Sequence, residues 1–216
     1  MNPTELECEF VPEDAASFDR MHQDLHAAAR VLDGIAPSVS VFGSSRSLES
    51  SWEYTAAVET GRLLALADVP VITGGGPGVM EAGNRGAADV GAPSIGLNIV
   101  LPHEQAPNKY VTPNLCFNFH YFAIRKMHFL MRAKAICVFP GGFGTLDELF
   151  ETLTLIQTGR MTPVPILLFG NAFWHSIINW DALADAGTIS DEDLRLFRFV
   201  ETADEAMDLI QNWTNK

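Results

Sequence analysis

The chain has 216 residues, 47% of them apolar and 19% charged, and its 14 basic against 27 acidic side chains give a net charge of −13. This is the composition of a compact protein long enough to bury its own core, and it excludes disordered, collagen-like and coiled-coil classes. So negative a chain is also a poor partner for nucleic-acid phosphates.

Taken in chain order, the first residues carry Glu5, Glu7, Glu9, Glu13 and Asp14, the reverse of the basic start of a secretory leader. The longest purely apolar runs, such as 166–169, are strand-length and far short of the roughly 20 residues of a membrane span, so no membrane association is expected. Cys8, Cys116 and Cys137 are odd in number and widely spaced, which suits reduced thiols in a cytoplasmic protein. A helical period over 14–33 reads as an N-terminal helical extension occupying residues 1–36. From 37 to 216 a single domain is expected, with no repeat and no linker.

Within that domain, apolar β-rich runs at 39–42, 69–73, 94–99, 135–139 and 164–169 alternate with segments of helical period at 48–67, 78–89, 117–134, 145–158 and 202–213. The alternation predicts an α/β fold, a doubly wound and mostly parallel sheet with helices on both faces. Several strand runs end in glycine-rich turns, and ligands of such sheets bind beyond the carboxyl ends of the strands.

Charge is uneven. Between Val90 and Leu146 there is one acid, Glu104, against Lys109, Arg125, Lys126, Arg132 and Lys134, so this stretch carries +4 and the remainder −17. It is either a region that steers a small anion or a solvated helix face balanced by acids elsewhere.

The segment Gly141-Gly142-Phe143-Gly144-Thr145 joins a buried strand to an amphipathic helix, so backbone N–H groups and the helix dipole converge where a phosphate fits. Thr145 adds a hydroxyl, and a tight turn alone does not need three glycines in four positions. The earlier loop Gly74-Gly75-Gly76-Pro77-Gly78 repeats the arrangement on the same edge. Neither matches a P-loop, and Gly43-Ser44-Ser45-Arg46 is not a dinucleotide fingerprint.

Three segments, Thr73-Gly74-Gly75-Gly76-Pro77-Gly78-Val79-Met80-Glu81-Ala82, Arg125-Lys126 and Pro140-Gly141-Gly142-Phe143-Gly144-Thr145-Leu146-Asp147-Glu148, resemble the marks of the LOG ("Lonely guy") family. Its members are phosphoribohydrolases that release the base from nucleoside 5′-monophosphates and are often mislabelled lysine decarboxylases. The similarity runs over about residues 37–212, and the helix at 14–33 resembles the longer subgroup. The resemblance implies a Rossmann-like fold, no cofactor, homodimers or larger assemblies with sites near the interface, and catalytic roles for Arg125 and Glu148.

Residue chemistry leaves two readings at most of these positions. Breaking an N-glycosidic bond builds positive charge on the ribose, which calls for a carboxylate beside the anomeric carbon and a base for water. Glu148 fits, although its spacing from Thr145 is also that of a capping box, as in the pairs Ser50 with Glu53 and Thr202 with Glu205. Glu81 either holds ribose hydroxyls or is a first-turn acid favoured by the helix dipole. Arg125 and Lys126 diverge by about 100° on a helix and so serve different parts of a ligand, the family resemblance implying substrate binding for Lys126, or else pair with surface acids. Glu151 and Thr154 drift along one side of the helix from Glu148, and Thr154 is a binding candidate, as are Gly75, Gly76 and Ser44; loop polarity accounts equally for Ser44 and Arg46. His103, His120 and His128 lack metal spacing and read as packing or polar groups.

The expected activity is hydrolysis of a purine nucleoside 5′-monophosphate, AMP or an N6-substituted cytokinin ribotide. A non-catalytic carrier of a nucleotide or molybdenum cofactor is the alternative. A lysine decarboxylase needs a lysine that forms a Schiff base with pyridoxal phosphate, and of the four lysines only Lys126 lies at the expected site.

Overall fold

A computed structural model describes residues 15–100 and 106–214 of the chain. The acid-rich start of the chain, Cys8 and His103 lie outside the described residues.

Strands β1 (Ser38–Phe42), β2 (Val71–Thr73), β3 (Ser94–Ile99), β4 (Cys116–Phe119), β5 (Ala133–Val138), β6 (Ile166–Phe169) and β7 (Arg198–Val200) form one sheet in the order β4-β3-β2-β1-β5-β6-β7. Every pairing is parallel, so the mostly parallel expectation is met in full. The chain winds outward from β1 to β4, returns to pair β5 on the other side of β1, and winds outward again. The reversal between β1 and β5 places a crevice at their carboxyl ends.

Strand alternation separates two apolar layers. Ala135 and Cys137 of β5 face helices α2 (Trp52–Leu66), α3 (Val79–Asp89) and α8 (Ala203–Gln211), where Leu64, Ala82 and Met207 are buried. Ile136 and Val138 face α1 (Ala15–Leu32), α4 (Phe122–Leu130), α5 (Phe143–Gln157) and α6 (Asn171–Ile177), meeting Leu32, Phe129, Leu149 and Trp174. Helix α7 (Trp180–Asp185) buries Trp180 in the same layer. No helix among the described residues is long and apolar enough to cross a membrane.

Helix α1 packs on α4. The His120 backbone N–H donates to Asp24 Oδ2 at 2.7 Å, and its ring Nδ1 lies 3.2 Å from Asp24 Oδ1. His128 is buried with its ring against Phe119, and burial, joined by nearby Arg132, lowers its pKa. Both histidines thus hold the helix that carries Arg125 and Lys126.

The single helix expected over 117–134 is corrected: β4 occupies Cys116–Phe119, the helix spans only Phe122–Leu130, and β5 has begun by Ala133. Phe117 and Phe119 alternate with Asn118, a period of two that pairs in register with Leu97, Asn98 and Ile99 of β3. Strand β7 and helices α6 and α7 were not expected either, being three to seven residues long.

Candidate active site

The loops leaving β1, β2 and β5 and the start of α5 enclose a cavity of about 860 Å³. Its wall includes Ser44, Gly74, Gly76, Arg125 and Glu148, together with all of Gly141–Thr145.

The β1 loop is fixed by its neighbours. Ser44 donates its backbone N–H to the Pro140 carbonyl at 3.0 Å and accepts at its own carbonyl from Val79 N–H at 3.0 Å. The Ser44 hydroxyl accepts from Arg46 N–H at 3.1 Å, closing its own turn. Gly78 has φ +67°, and a Cβ there would overlap the Ser44 carbonyl, so only glycine lets these loops touch.

Helix α5 starts on Gly142, whose position supplies no side-chain cap. The backbone N–H groups of Phe143, Gly144 and Thr145 precede the first intrahelical bond, made by Leu146 N–H to the Gly142 carbonyl at 3.0 Å. These uncapped donors border the cavity and are placed to receive an anion. Thr145 therefore stands inside the helix rather than at its cap, with its side chain packed where a Gly141 Cβ would be. The capping-box alternative for Glu148 is thereby removed. At Thr202 the cap does form, Thr202 Oγ1 accepting from Glu205 N–H at 3.2 Å, while Glu205 Oε2 reaches one residue beyond the cap to accept from Glu201 N–H at 2.7 Å. The other such pair shifts by one residue, since α2 is capped by Ser51 rather than Ser50.

Glu148 points inward from the next turn, 4% exposed, and its Oε1 lies 3.6 Å from Arg125 Nη2. Burial pushes its carboxyl pKa up to about 7, against the pull of Lys126 and Arg125. The Arg125 guanidinium sits 5.2 Å from the Phe122 ring centre and 5.6 Å from that of Phe129. Burial draws its pKa down while Glu148 draws it up, and an arginine so placed stays charged. Arg125 Nε and Glu148 Oε2 are both buried with no hydrogen-bond partner among the described residues. Native interiors rarely leave such atoms unpaired, so the pair points to a polar ligand.

Lys126 turns away from Arg125, as adjacent helical positions must. Its Nζ lies 2.6 Å from Asp147 Oδ2 and 2.9 Å from Glu151 Oε2. It lines a second, shallower depression of about 660 Å³ with Phe143, Phe150, Glu151 and Thr154. Burial would lower the Lys126 pKa, but the bonds to Asp147 and Glu151 outweigh it and the net shift is upward. An amine held protonated by two carboxylates does not fit a Schiff-base lysine. Glu81 lies outside the cavity wall and accepts from the Tyr54 hydroxyl at 3.3 Å. Gly75 lies behind the wall: its N–H donates to Thr73 Oγ1 at 2.9 Å and its carbonyl accepts from Asn108 N–H at 2.7 Å.

Sequence reasoning passed over the residues that hold this glycine loop. Buried Asn84 accepts at Oδ1 from Thr73 Oγ1 at 2.6 Å and from Asn108 Nδ2 at 2.9 Å, while Asn108 Nδ2 also lies 3.0 Å from the Gly76 carbonyl. An amide in the middle of the small, buried stripe of α3 was the available signal. Asn98, Phe173 and Ile177 also line the wall and carry no local motif, whereas Met80 stands in the first glycine segment and Arg46 lines the wall beside Ser44.

The family model described as "Possible lysine decarboxylase" matches residues 80–210. Over 176 residues the chain is 27% identical to cytokinin riboside 5′-monophosphate phosphoribohydrolase LOG4 of Arabidopsis thaliana, covering 80% of each chain. It is 28% identical over 167 residues to the enzyme LOG of Oryza sativa subsp. japonica, covering 76% of this chain and 67% of that one. Among solved structures, the molybdenum cofactor binding protein of Rippkaea orientalis superposes with a TM-score of 0.61 at 19% identity, over 82% of this chain and 97% of that one. The molybdenum cofactor carrier protein of Chlamydomonas reinhardtii gives 0.57 at 20%, over 82% and 96%. These two likenesses concern the fold. With a family model that spans more than half of its length and takes in the second glycine loop, Arg125 and Glu148, the chain belongs to the LOG family.

Proposed function

We propose that this protein hydrolyses the N-glycosidic bond of a purine nucleoside 5′-monophosphate, AMP or an N6-substituted cytokinin ribotide, to the free base and ribose 5-phosphate. The observation that carries the reading is the buried, loosely paired Arg125–Glu148 couple beside an uncapped glycine helix start in one cavity. The phosphate rests on the N–H groups of Phe143, Gly144 and Thr145. Ionised Glu148 faces the anomeric carbon, where it offsets the positive charge of the ribose and takes a proton from water. The water oxygen bonds to that carbon as the bond to the base nitrogen breaks, and the base leaves with the bonding electrons and then a proton. Arg125, clamped between two phenyl rings, balances the charge on the departing base.

The curated relatives support this substrate class through the activity in their names. The shallow depression around Lys126 and Thr154, with Phe143 92% exposed at its edge, supports a homodimer in which a second copy covers that face, so that the proposed binding roles of Lys126 and Thr154 lie at the interface. Thiols free at Cys116 and Cys137 accord with a cytoplasmic setting. Purified protein incubated with AMP and N6-isopentenyl-AMP should release base, detected by chromatography. Intact ribotides throughout, including other monophosphates, would remove the hydrolase reading, and a tightly retained ligand with no product would favour a carrier.

A further inference from the structure

One end of the cavity is unused by the phosphate cradle and the Arg125–Glu148 pair. It is formed where β3 and β4 end, and Asn98 stands there opposite Asn118 in the strand register. Asn98 Nδ2 donates to Asn118 Oδ1 at 3.1 Å, which holds the amide plane, while Asn98 Oδ1 accepts no hydrogen bond among the described residues. In the strand order β3 lies three spacings from β5, about 14 Å. The uncapped start of α5 follows β5 directly, so an extended ribotide with its phosphate there reaches β3 only with its base. The wall between is Gly74, Gly76 and Met80 after β2 and Ser44, Ser45 and Arg46 after β1, with the Arg125 guanidinium beside Gly74, so its polar groups face the sugar and phosphate and leave the β3 end to the base. Phe122, at the first turn of α4 just beyond β4, is 52% exposed and lines the same cavity.

We infer that the β3/β4 end of the cavity is the base subsite, in which a purine packs on Phe122 and Asn98 Oδ1 accepts a hydrogen bond from its exocyclic 6-amino group. This rests on the ribotide reading of the cavity. An acceptor at that point selects amino over oxo purines, because a 6-oxo base brings lone pairs against it and leaves both groups unpaired.

Affinity and base release are measured side by side for AMP and IMP with the wild type, Asn98→Leu and Asn98→Asp. The wild type should favour AMP over IMP by about tenfold or more. Asn98→Leu should lose most of that ratio by weakening AMP, and Asn98→Asp, which keeps an acceptor oxygen while Asn118 turns its amide to donate, should retain it. A ratio unchanged in Asn98→Leu, or a wild-type preference for IMP, overturns the inference. An AMP preference in binding that Asn98→Leu abolishes, without base release from any ribotide, upholds the subsite and overturns hydrolysis instead. Failure of both ribotides to bind overturns both.

Discussion

Arg125 Nη2 and Glu148 Oε1 stand 3.6 Å apart, near enough to attract strongly in a buried setting and too far for a hydrogen bond. Arg125 is held by aromatic rings on α4 and Glu148 by the second turn of α5, so neither side chain is committed to the other. The couple is therefore available to a third group, and its ionisation sets when the site works.

Glu148 must be ionised to accept a proton from water, and its pKa is about 7. The ionisation of the free enzyme shows in kcat/KM, which should rise with pH along an acidic limb centred near 7 and level off above it once the second ionisation of the ribotide phosphate, near 6, is allowed for. Initial rates from pH 5 to 9 check this, and a limb centred near 4.5, the ordinary carboxylate range, would take Glu148 out of the proton-transfer role. Glu148→Gln should lower turnover by about 10²–10³ and abolish the limb.

The same shift has a consequence for folding. Between about 4.5 and about 7 the native state binds more protons at Glu148 than the unfolded chain does, so wild-type stability falls as pH rises through that window. Glu148→Gln lacks the titration. Relative to wild type the variant should gain as pH goes from 4 to 8, by up to about 3 kcal/mol if the whole shift is realised. Urea unfolding at the two pH values measures the gap, and an unchanged gap would mean that Glu148 is solvated in the native state.

Arg125 tests geometry against charge. Arg125→Ala should lower turnover by about 10²–10³. Arg125→Lys keeps a positive charge but loses the planar group that lies against Phe122 and Phe129, so it should recover little of that loss. Circular dichroism of both variants should match wild type; full activity in the lysine variant would show that a point charge suffices.

The parts of this site that were legible in the sequence are those written in consecutive residues. The glycine segments at 74–78 and 141–145 announce themselves because a helix start that receives a ligand is built from neighbours along the chain. Even the divergence of Arg125 and Lys126 follows from helical geometry. What was hidden depends on distant pairings. Asn84 and Asn108 are 24 positions apart and meet only because β2, β3 and the segment after β3 converge on the glycine loop. Strand β4 was lost inside an aromatic run whose period of two is too short to stand out from the helix that follows. Glu81 and Gly75 bond to Tyr54, Thr73 and Asn108, pairings that their own motif does not announce.

Within the proposed phosphate cradle the glycines divide by what surrounds them. A Cβ on Gly141 would collide with the Thr145 side chain, whereas one on Gly144 would meet nothing within 4 Å. Gly141→Ala should therefore destabilise the protein, by about 1–3 kcal/mol, as overpacking does. Gly144→Ala lies inside α5, where alanine is the better helix former, and should leave stability unchanged or raise it by up to about 1 kcal/mol. Because Gly144 lines the cavity, the added methyl should nonetheless raise KM for the ribotide severalfold. Thermal unfolding and steady-state kinetics on the two variants separate these effects, and an unaltered KM in Gly144→Ala would place the phosphate elsewhere.

Phe143 is 92% exposed at the first position of α5, where it borders both the deep cavity and the shallow depression. Phe150, one exposed helical face further on, is 39% exposed, and Lys126 with Asp147 and Glu151 supplies a polar margin beside them. An apolar centre with a charged rim is the anatomy of a protein interface, and a phenyl ring left in water forfeits about 2 kcal/mol of burial. If a second copy covers this face, Phe143→Glu places a charge at its centre and should shift sedimentation from dimer to monomer. The same substitution should also reduce turnover, because the rim of each deep cavity loses its cover. Phe143→Leu, still apolar, should remain dimeric. A monomeric wild type, or a Phe143→Glu variant that sediments unchanged, would show that α5 meets its partner elsewhere or not at all.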